Sequence, residues 1–239
     1  MTHIPVKVND RIYCYIWQGM GNNCNTVFFP NILEGAKPHL LIDPGHTYNE
    51  YKVDCMASLA GAMQQNGFEL DDVGMIINTH CHADHCEACE PLSRNNSLTI
   101  ALSEEEEKFR HAGNRQLNSM FGIRSPEFKT SLFLQEGTYA PGKEELKFEI
   151  FISPGHSPGS VCLYVPDDKV LLTGDVMFYG SIGRTDFPGG NSAQLKQSIE
   201  RLSELDIECI IPGHSTEYGN IITGKTNISK NFRAARMYF

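Results

Sequence analysis

The sequence predicts a mixed α/β fold that gathers its functional loops at one end of its strands. Apolar runs of strand length recur along the chain, among them Thr26-Val27-Phe28-Phe29, His39-Leu40-Leu41-Ile42, Val73-Gly74-Met75-Ile76-Ile77 and Lys169-Val170-Leu171-Leu172. Segments with helical spacing, such as Tyr48 to Gln65, lie between several of them. Four of the runs lead straight into a short turn that carries histidine or aspartate.

Taken in order, Arg11 to Trp17 alternates as a strand, and Gly19-Met20-Gly21-Asn22-Asn23 is a turn. The strands Thr26 to Phe29 and His39 to Ile42 follow, the second ending in Asp43-Pro44-Gly45-His46, read as an exposed turn. Asn66-Gly67 stops the helix that begins at Tyr48. After the strand Val73 to Ile77 and its loop, a helix is expected from Ala83 to Ser93, then a strand from Leu98 to Leu102. Ser103 should cap the next helix, whose first turn, Glu104 to Glu107, reads as an acidic solvated face. Residues 113–126 show no periodicity and are expected to be irregular, a seam between two halves of one domain over residues 1–239. Leu146 to Ile152, Ser160 to Val165, Lys169 to Leu172 and Glu208 to Ile211 complete the strands.

The stretch Thr79-His80-Cys81-His82-Ala83-Asp84-His85 holds three histidines and an aspartate directly after a buried-strand signal. Packing several neutral imidazoles and a carboxylate together without a cation is costly, and imidazole with carboxylate is a metal's ligand set. The later turns Pro154-Gly155-His156, Thr173-Gly174-Asp175 and Pro212-Gly213-His214 repeat the pattern. Loops at strand carboxyl ends are where α/β folds place ligand sites. Five of the nine histidines fall in these places; His3, His39, His46 and His111 read as ordinary, although His46 also follows a strand end. The run Gly155-His156-Ser157-Pro158-Gly159 imitates a serine nucleophile elbow, but a strand-like segment follows where that motif needs a helix.

The chain has 239 residues, 41% of them hydrophobic and 21% charged, with a net charge of -9. That charge speaks against nucleic acid and anionic membrane surfaces as partners. No apolar run approaches the ~20 residues of a membrane span, and the first residues lack a hydrophobic signal core, so a cytoplasmic protein is expected. The eight cysteines are then reduced thiols, and Cys86-x-x-Cys89 reads as structural rather than metal-binding. Without secretion, the glycosylation patterns Asn95-Asn96-Ser97 and Asn227-Ile228-Ser229 carry no weight. The basic residues Lys225, Lys230, Arg233 and Arg236 are expected on a helix end docked to an acidic body.

The series His80-x-His82-x-Asp84-His85, His156, Asp175, His214 resembles that of the metallo-β-lactamase superfamily over nearly the full chain. The resemblance implies a four-layer αβ/βα sandwich. It implies one metal at His80, His82 and His156, a second at Asp84, His85 and His214, and Asp175 as the bridging carboxylate. The expected cofactor is two divalent metal ions, zinc first, with iron or manganese as the other choices. Residues 180–190, with Arg184, and 117–122 resemble the short bacterial glyoxalase-II-like hydrolases; the Gly-Arg-Thr-Asp loop is also similar to persulfide dioxygenases. A departure from glyoxalase II is expected, with no long helical part after Glu217, and Glu87 stands where the family commonly has glycine.

The leading expectation is a dinuclear hydrolase in which hydroxide held between the metals attacks a thioester of acylglutathione type. Asp84 would orient that nucleophile, and Arg184 would either contact substrate or fix its own loop through Asp175 or Asp186. The rival is a mononuclear iron persulfide dioxygenase using His80, His156 and Asp175; lactone or phosphodiester hydrolysis follows. The partner is a small thioester or thiol-derived substrate, and the sequence leaves a homodimer open.

Overall fold

The structure, a computed structural model, describes residues 2–94, 98–142 and 146–239; the pattern Asn95-Asn96-Ser97 lies outside them. A seven-stranded sheet runs in spatial order through β1 (His3–Lys7), β2 (Tyr13–Trp17), β3 (Thr26–Phe29), β4 (His39–Ile42), β5 (Val73–Ile77), β6 (Thr99–Ser103) and β7 (Leu132–Leu134). The second sheet begins with β8 (Gly137–Tyr139), β9 (Phe148–Ile152), β10 (Val161–Val165) and β11 (Val170–Gly174). A small hairpin, β12 (Met177–Phe178) with β13 (Ser181–Ile182), precedes β14 (Cys209–Pro212) and β15 (Ile222–Thr223), which complete that six-stranded sheet in the order β15-β14-β11-β10-β9-β8. The helices are α1 (Cys55–Gln65), α2 (Ala83–Cys86), α3 (Cys89–Arg94), α4 (Glu104–Arg110), α5 (Gly113–Met120), α6 (Ser192–Leu202) and α7 (Lys225–Arg236).

The strands explain the layering. Successive side chains point to opposite faces, and here both faces are apolar. Cys14, Ile16, Phe29, Leu40, Ile42, Met75 and Ile77 of the first sheet meet Phe148, Ile150, Val161, Leu163 and Leu172 of the second in one inner core. Their neighbours Tyr15, Phe28, Leu41 and Ile76 face outward onto Leu59 and Met63 of α1 and Leu92 of α3. On the far side Cys162, Tyr164, Leu171 and Ile210 pack on Leu195 and Ile199 of α6 and Ile228 and Phe232 of α7. Helices, sheet, sheet and helices therefore make the four layers. Double-sided burial also accounts for β2, where four consecutive residues are buried and no polar face remains.

Four local expectations change. Helix α1 starts at Cys55 rather than Tyr48, because Asp54 caps it, accepting from Ala57 N–H at 2.8 Å, while Asn49 Oδ1 holds Tyr51 and Val53 in a loop. The single helix expected from Ala83 to Ser93 is two, α2 and α3; Pro91 has no N–H to give the Glu87 carbonyl. Residues 113–120 are helical, not irregular: the buried face of α5 is Asn114, Leu117 and Asn118, so amide side chains hide the helical period. The chain passes from one sheet to the other between Leu134 and Gly137, beyond the seam expected over residues 113–126. Among the described residues no helix is long and apolar enough to cross a membrane.

Phe148 is fully buried and meets Phe29 of the opposite sheet edge-on, ring centroids 5.2 Å apart. Phe148→Ala should cost about 3–5 kcal/mol in urea unfolding. Met237→Ala, at a side chain 84% exposed, should stay within about 0.5 kcal/mol.

Candidate metal centre

All four predicted strand exits deliver their residues to one place. His80 and His82 lie on the loop after β5, and Asp84 and His85 in the α2 turn that follows. His156 comes from the loop after β9, Asp175 from the end of β11, and His214 from the end of β14. Gly213 shows why small residues precede these groups: a Cβ there would stand 2.4 Å from Asp175 Oδ1 and 2.9 Å from the His85 ring.

The seven side chains form three overlapping sets: His80, His82 and His156; His80, His85 and Asp175; and Asp84, His85 and His214. Within each set the ligand atoms lie within 4.8 Å of one another. His156 Nε2 is 2.9 Å from His82 Nδ1. His85 Nε2 lies 3.2 Å from His214 Nε2 and 3.2 Å from Asp175 Oδ1. His214 Nε2 is 3.2 Å from Asp84 Oδ2, and Asp175 Oδ2 is 3.5 Å from His156 Nε2. The two oxygens of Asp175 thus face opposite groups, as expected of a shared carboxylate. Two of the sets pair two histidines with one carboxylate, His80–His85–Asp175 and Asp84–His85–His214, while His156, which the dioxygenase expectation joins to His80 and Asp175, has its Nε2 3.5 Å from Asp175 Oδ2.

A network behind the centre turns the rings. Asp43 Oδ1 accepts from Thr79 N–H at 2.7 Å, and its Oδ2 accepts from Thr79 Oγ1 at 2.6 Å and His85 Nδ1 at 2.9 Å. With its own proton given to Asp43, the Thr79 hydroxyl accepts from His80 Nδ1 at 3.1 Å. His156 Nδ1 donates to the Arg184 carbonyl at 2.8 Å. Each Nδ1 so engaged turns its Nε2 inward, the arrangement that outer partners impose on metal-binding histidines. Asn22 Nδ2 donates to Asp84 Oδ2 at 2.8 Å.

Burial, then neighbouring imidazoles, keeps His80 neutral and brings His82 down to about 3. The other half is shifted the opposite way. Burial opposes the charge on His85 and His214, but the carboxylates of Asp175 and Asp84, joined for His85 by Asp43, outweigh it and hold both imidazoles up. Reciprocally, burial would raise Asp84 and Asp175, yet the histidines hold both carboxyls well below their usual range. His80 Nε2 and His82 Nε2 are buried without a hydrogen bond. Such orphans cost about 1–3 kcal/mol each, so the donor set fits divalent metal ions better than it fits itself.

Arg184 lies at the rim. Its guanidinium pairs with Asp186, not Asp175, at 2.7 and 2.9 Å and stacks 4.1 Å from the Phe187 ring centroid. Phe187 in turn stands 6.2 Å from His82 and 5.8 Å from the exposed Phe121. Cys86 donates to the Cys81 carbonyl and Cys89 to Asn78 Oδ1; both thiols are buried, burial pushes Cys89 up to about 12, and neither joins a ligand set. Ser157 is buried against Ser160, and β10 follows it, so no nucleophile elbow forms. The basic tail is α7, docked through Ile228 and Phe232, with Lys225 2.9 Å from Asp206.

Three residues were misplaced by sequence reasoning. Asp43 and His46 are buried, not on an exposed turn. His46 Nδ1 meets Glu87 Oε2 at 2.7 Å, and Glu87 also accepts from Thr47 N–H, which gives the side chain at that position work beside the site. Glu106 is fully buried rather than part of a solvated face. The signal for Asp43 was present, since it leaves a strand as the ligands do; nothing local marked Glu106.

Comparison with known proteins agrees with this geometry. Residues 25–214, which include all seven candidate ligands, match the metallo-beta-lactamase superfamily. A probable metallo-hydrolase of Methanocaldococcus jannaschii is 33% identical over 187 residues, covering 75% of this chain and 84% of its own. The hydroxyacylglutathione hydrolase GloC of Haemophilus influenzae is 36% identical over 201 residues, covering 81% of this chain and 85% of its own. Among solved structures, TTHA1623 in a di-iron-bound form is similar with a TM-score of 0.65 at 28% identity, covering 92% of this chain and 94% of that one. ETHE1 of Myxococcus xanthus shares the fold, with a TM-score of 0.63 at 21% identity over 89% of this chain and 79% of that one. With two facing sheets, ligands delivered from strand ends and a match that runs through all of them, the chain belongs to the metallo-beta-lactamase superfamily.

Proposed function

We propose that this protein is a metal-dependent thioester hydrolase acting on substrates of the acylglutathione type. The observation that carries the reading is the pair of ligand sets, His80–His82–His156 and Asp84–His85–His214, with Asp175 facing both. A likeness to a hydroxyacylglutathione hydrolase over most of both chains supports the substrate class. The two sets would hold two divalent ions, zinc in first place, with iron or manganese also compatible with nitrogen and oxygen donors. Bound there, such ions supply an activated water and electrophilic stabilisation of the carbonyl oxygen.

The chain's own groups do the rest. Asp84, held ionised by His85 and His214, orients the attacking water and takes its proton on Oδ1, the oxygen not engaged by Asn22. Phe187 and Phe121 form an apolar wall beside His82 for the acyl group. Arg184, its side chain 61% exposed, offers a cation to the carboxylates of the thiol carrier.

A second reading, a mononuclear iron oxygenase acting on a persulfide, draws on His80, His156 and Asp175, with His156 Nε2 3.5 Å from Asp175 Oδ2. It assigns no metal to His82, Asp84, His85 and His214, and for that reason it ranks second.

Elemental analysis of protein purified without added metal should give two equivalents per chain, with hydrolysis of S-acylglutathiones and no oxygen uptake on glutathione persulfide. One iron per chain with oxygen uptake would reverse the order. Asp175→Ala should lose metal and lower turnover by more than the ~10–100-fold typical of an outer-shell change; full metal loading with retained turnover would refute its shared role. Arg184→Ala should leave metal content unchanged and raise KM about two- to fivefold, the scale of an exposed ion pair.

A further inference from the structure

Helix α4 opens with Ser103-Glu104-Glu105-Glu106, the spacing of a capping box, in which the acid normally turns back to the N–H of the capping residue. Only half of that box is made. Ser103 Oγ accepts from Glu106 N–H at 3.2 Å. The Glu106 carboxylate instead reaches two other segments, its Oε2 accepting from Cys81 N–H at 2.9 Å and its Oε1 from Gly159 N–H at 2.7 Å. Cys81 lies between His80 and His82, and Gly159 lies three residues after His156. One fully buried carboxylate therefore ties together the two loops that carry the first histidine set.

The surroundings are built around this tie. Ser103 Oγ donates to the Gly159 carbonyl at 2.6 Å, and a Cβ at Gly159 would stand 2.5 Å from that oxygen and 2.7 Å from Glu106 N. The loop seats directly on the helix end, with room for glycine alone. Asn114 Nδ2 of α5 donates to the Cys81 carbonyl at 2.6 Å, so both backbone groups of the residue between the two histidines are fixed by side chains from α4 and α5. The second set is held by other groups: Asp43 orients His85, Asn22 holds Asp84, and Asn25 donates its N–H and its side-chain amide to the Gly213 and Pro212 carbonyls beside His214.

We infer that Glu106 is a positioning residue for the His80–His82–His156 set, acting through the backbone of Cys81 and Gly159 and not through the Asp84–His85–His214 set. The inference rests on the reading that these sets hold metal ions. A glutamine in this place would keep its size but present one amide donor toward a backbone N–H. A shorter aspartate would keep the charge but could not span both loops.

The test titrates zinc into metal-free wild-type, Glu106→Gln and Glu106→Asp proteins, with histidine-selective nitrogen-15 labelling to report which imidazoles respond. Calorimetry supplies the affinities. Wild type should load both sets. In the variants, affinity at the set reported by His82 and His156 should fall about ten- to a hundredfold, the range for outer-shell partners, while that reported by His214 changes less than about threefold. Unchanged affinities, or equal losses at both sets, would overturn the inference. Failure of both variants to fold would overturn it too, since Glu106 would then serve the fold rather than one set. A wild-type protein that binds no zinc, iron(II) or manganese would remove the metal reading itself, which is a separate result.

Discussion

The centre depends on a buried carboxylate, Asp43, that is not itself a candidate ligand and meets the ligands through hydrogen bonds at their backs. Asp43 receives Thr79 and His85 directly and His80 through the Thr79 hydroxyl. A histidine on a loop can rotate, and its two nitrogens are inequivalent; fixing Nδ1 decides which way Nε2 faces. Asp43 does this for one histidine of each set. It does so from a left-handed backbone conformation, φ 52°, which costs a non-glycine residue about 1–2 kcal/mol. That cost is carried by a site whose surroundings over-determine it.

The sheets make this precision available. Each ligand loop leaves a strand that is apolar on both faces and clamped between the inner core and a helix layer. Close packing of that kind leaves little freedom at the strand ends. Cross-sheet ties extend it to the loops: Asn25 donates its N–H to the Gly213 carbonyl and its side-chain amide to that of Pro212, so the first sheet holds the loop that carries His214. Glu106 has the corresponding place on the other side of the centre, between the loops of His82 and His156.

Electrostatics then divides the site. Burial holds the imidazoles of the His80–His82 side down, whereas the carboxylates of Asp175 and Asp84 hold those of the His85–His214 side up. The two halves thus differ in what surrounds their imidazoles, although one aspartate faces both.

Much of this was written in the sequence. The motif His80-x-His82-x-Asp84-His85 and the three later turns named the seven converging residues, because strand-exit loops need only local signals: an apolar run, a glycine and a donor. The strands β3, β4 and β5 were legible to the residue for the same reason. Tertiary structure alone decided the supports. Asp43 and Glu106 look like a turn residue and one of four acids on a helix; only contacts 36 residues away for Asp43 and 25 and 53 away for Glu106 show what their oxygens hold. Helix α5 stayed hidden because its buried face uses asparagines, one of which is needed at the Cys81 carbonyl. A ligand is recognisable by its type and spacing, but a residue that positions a ligand is defined by what lies across the fold from it.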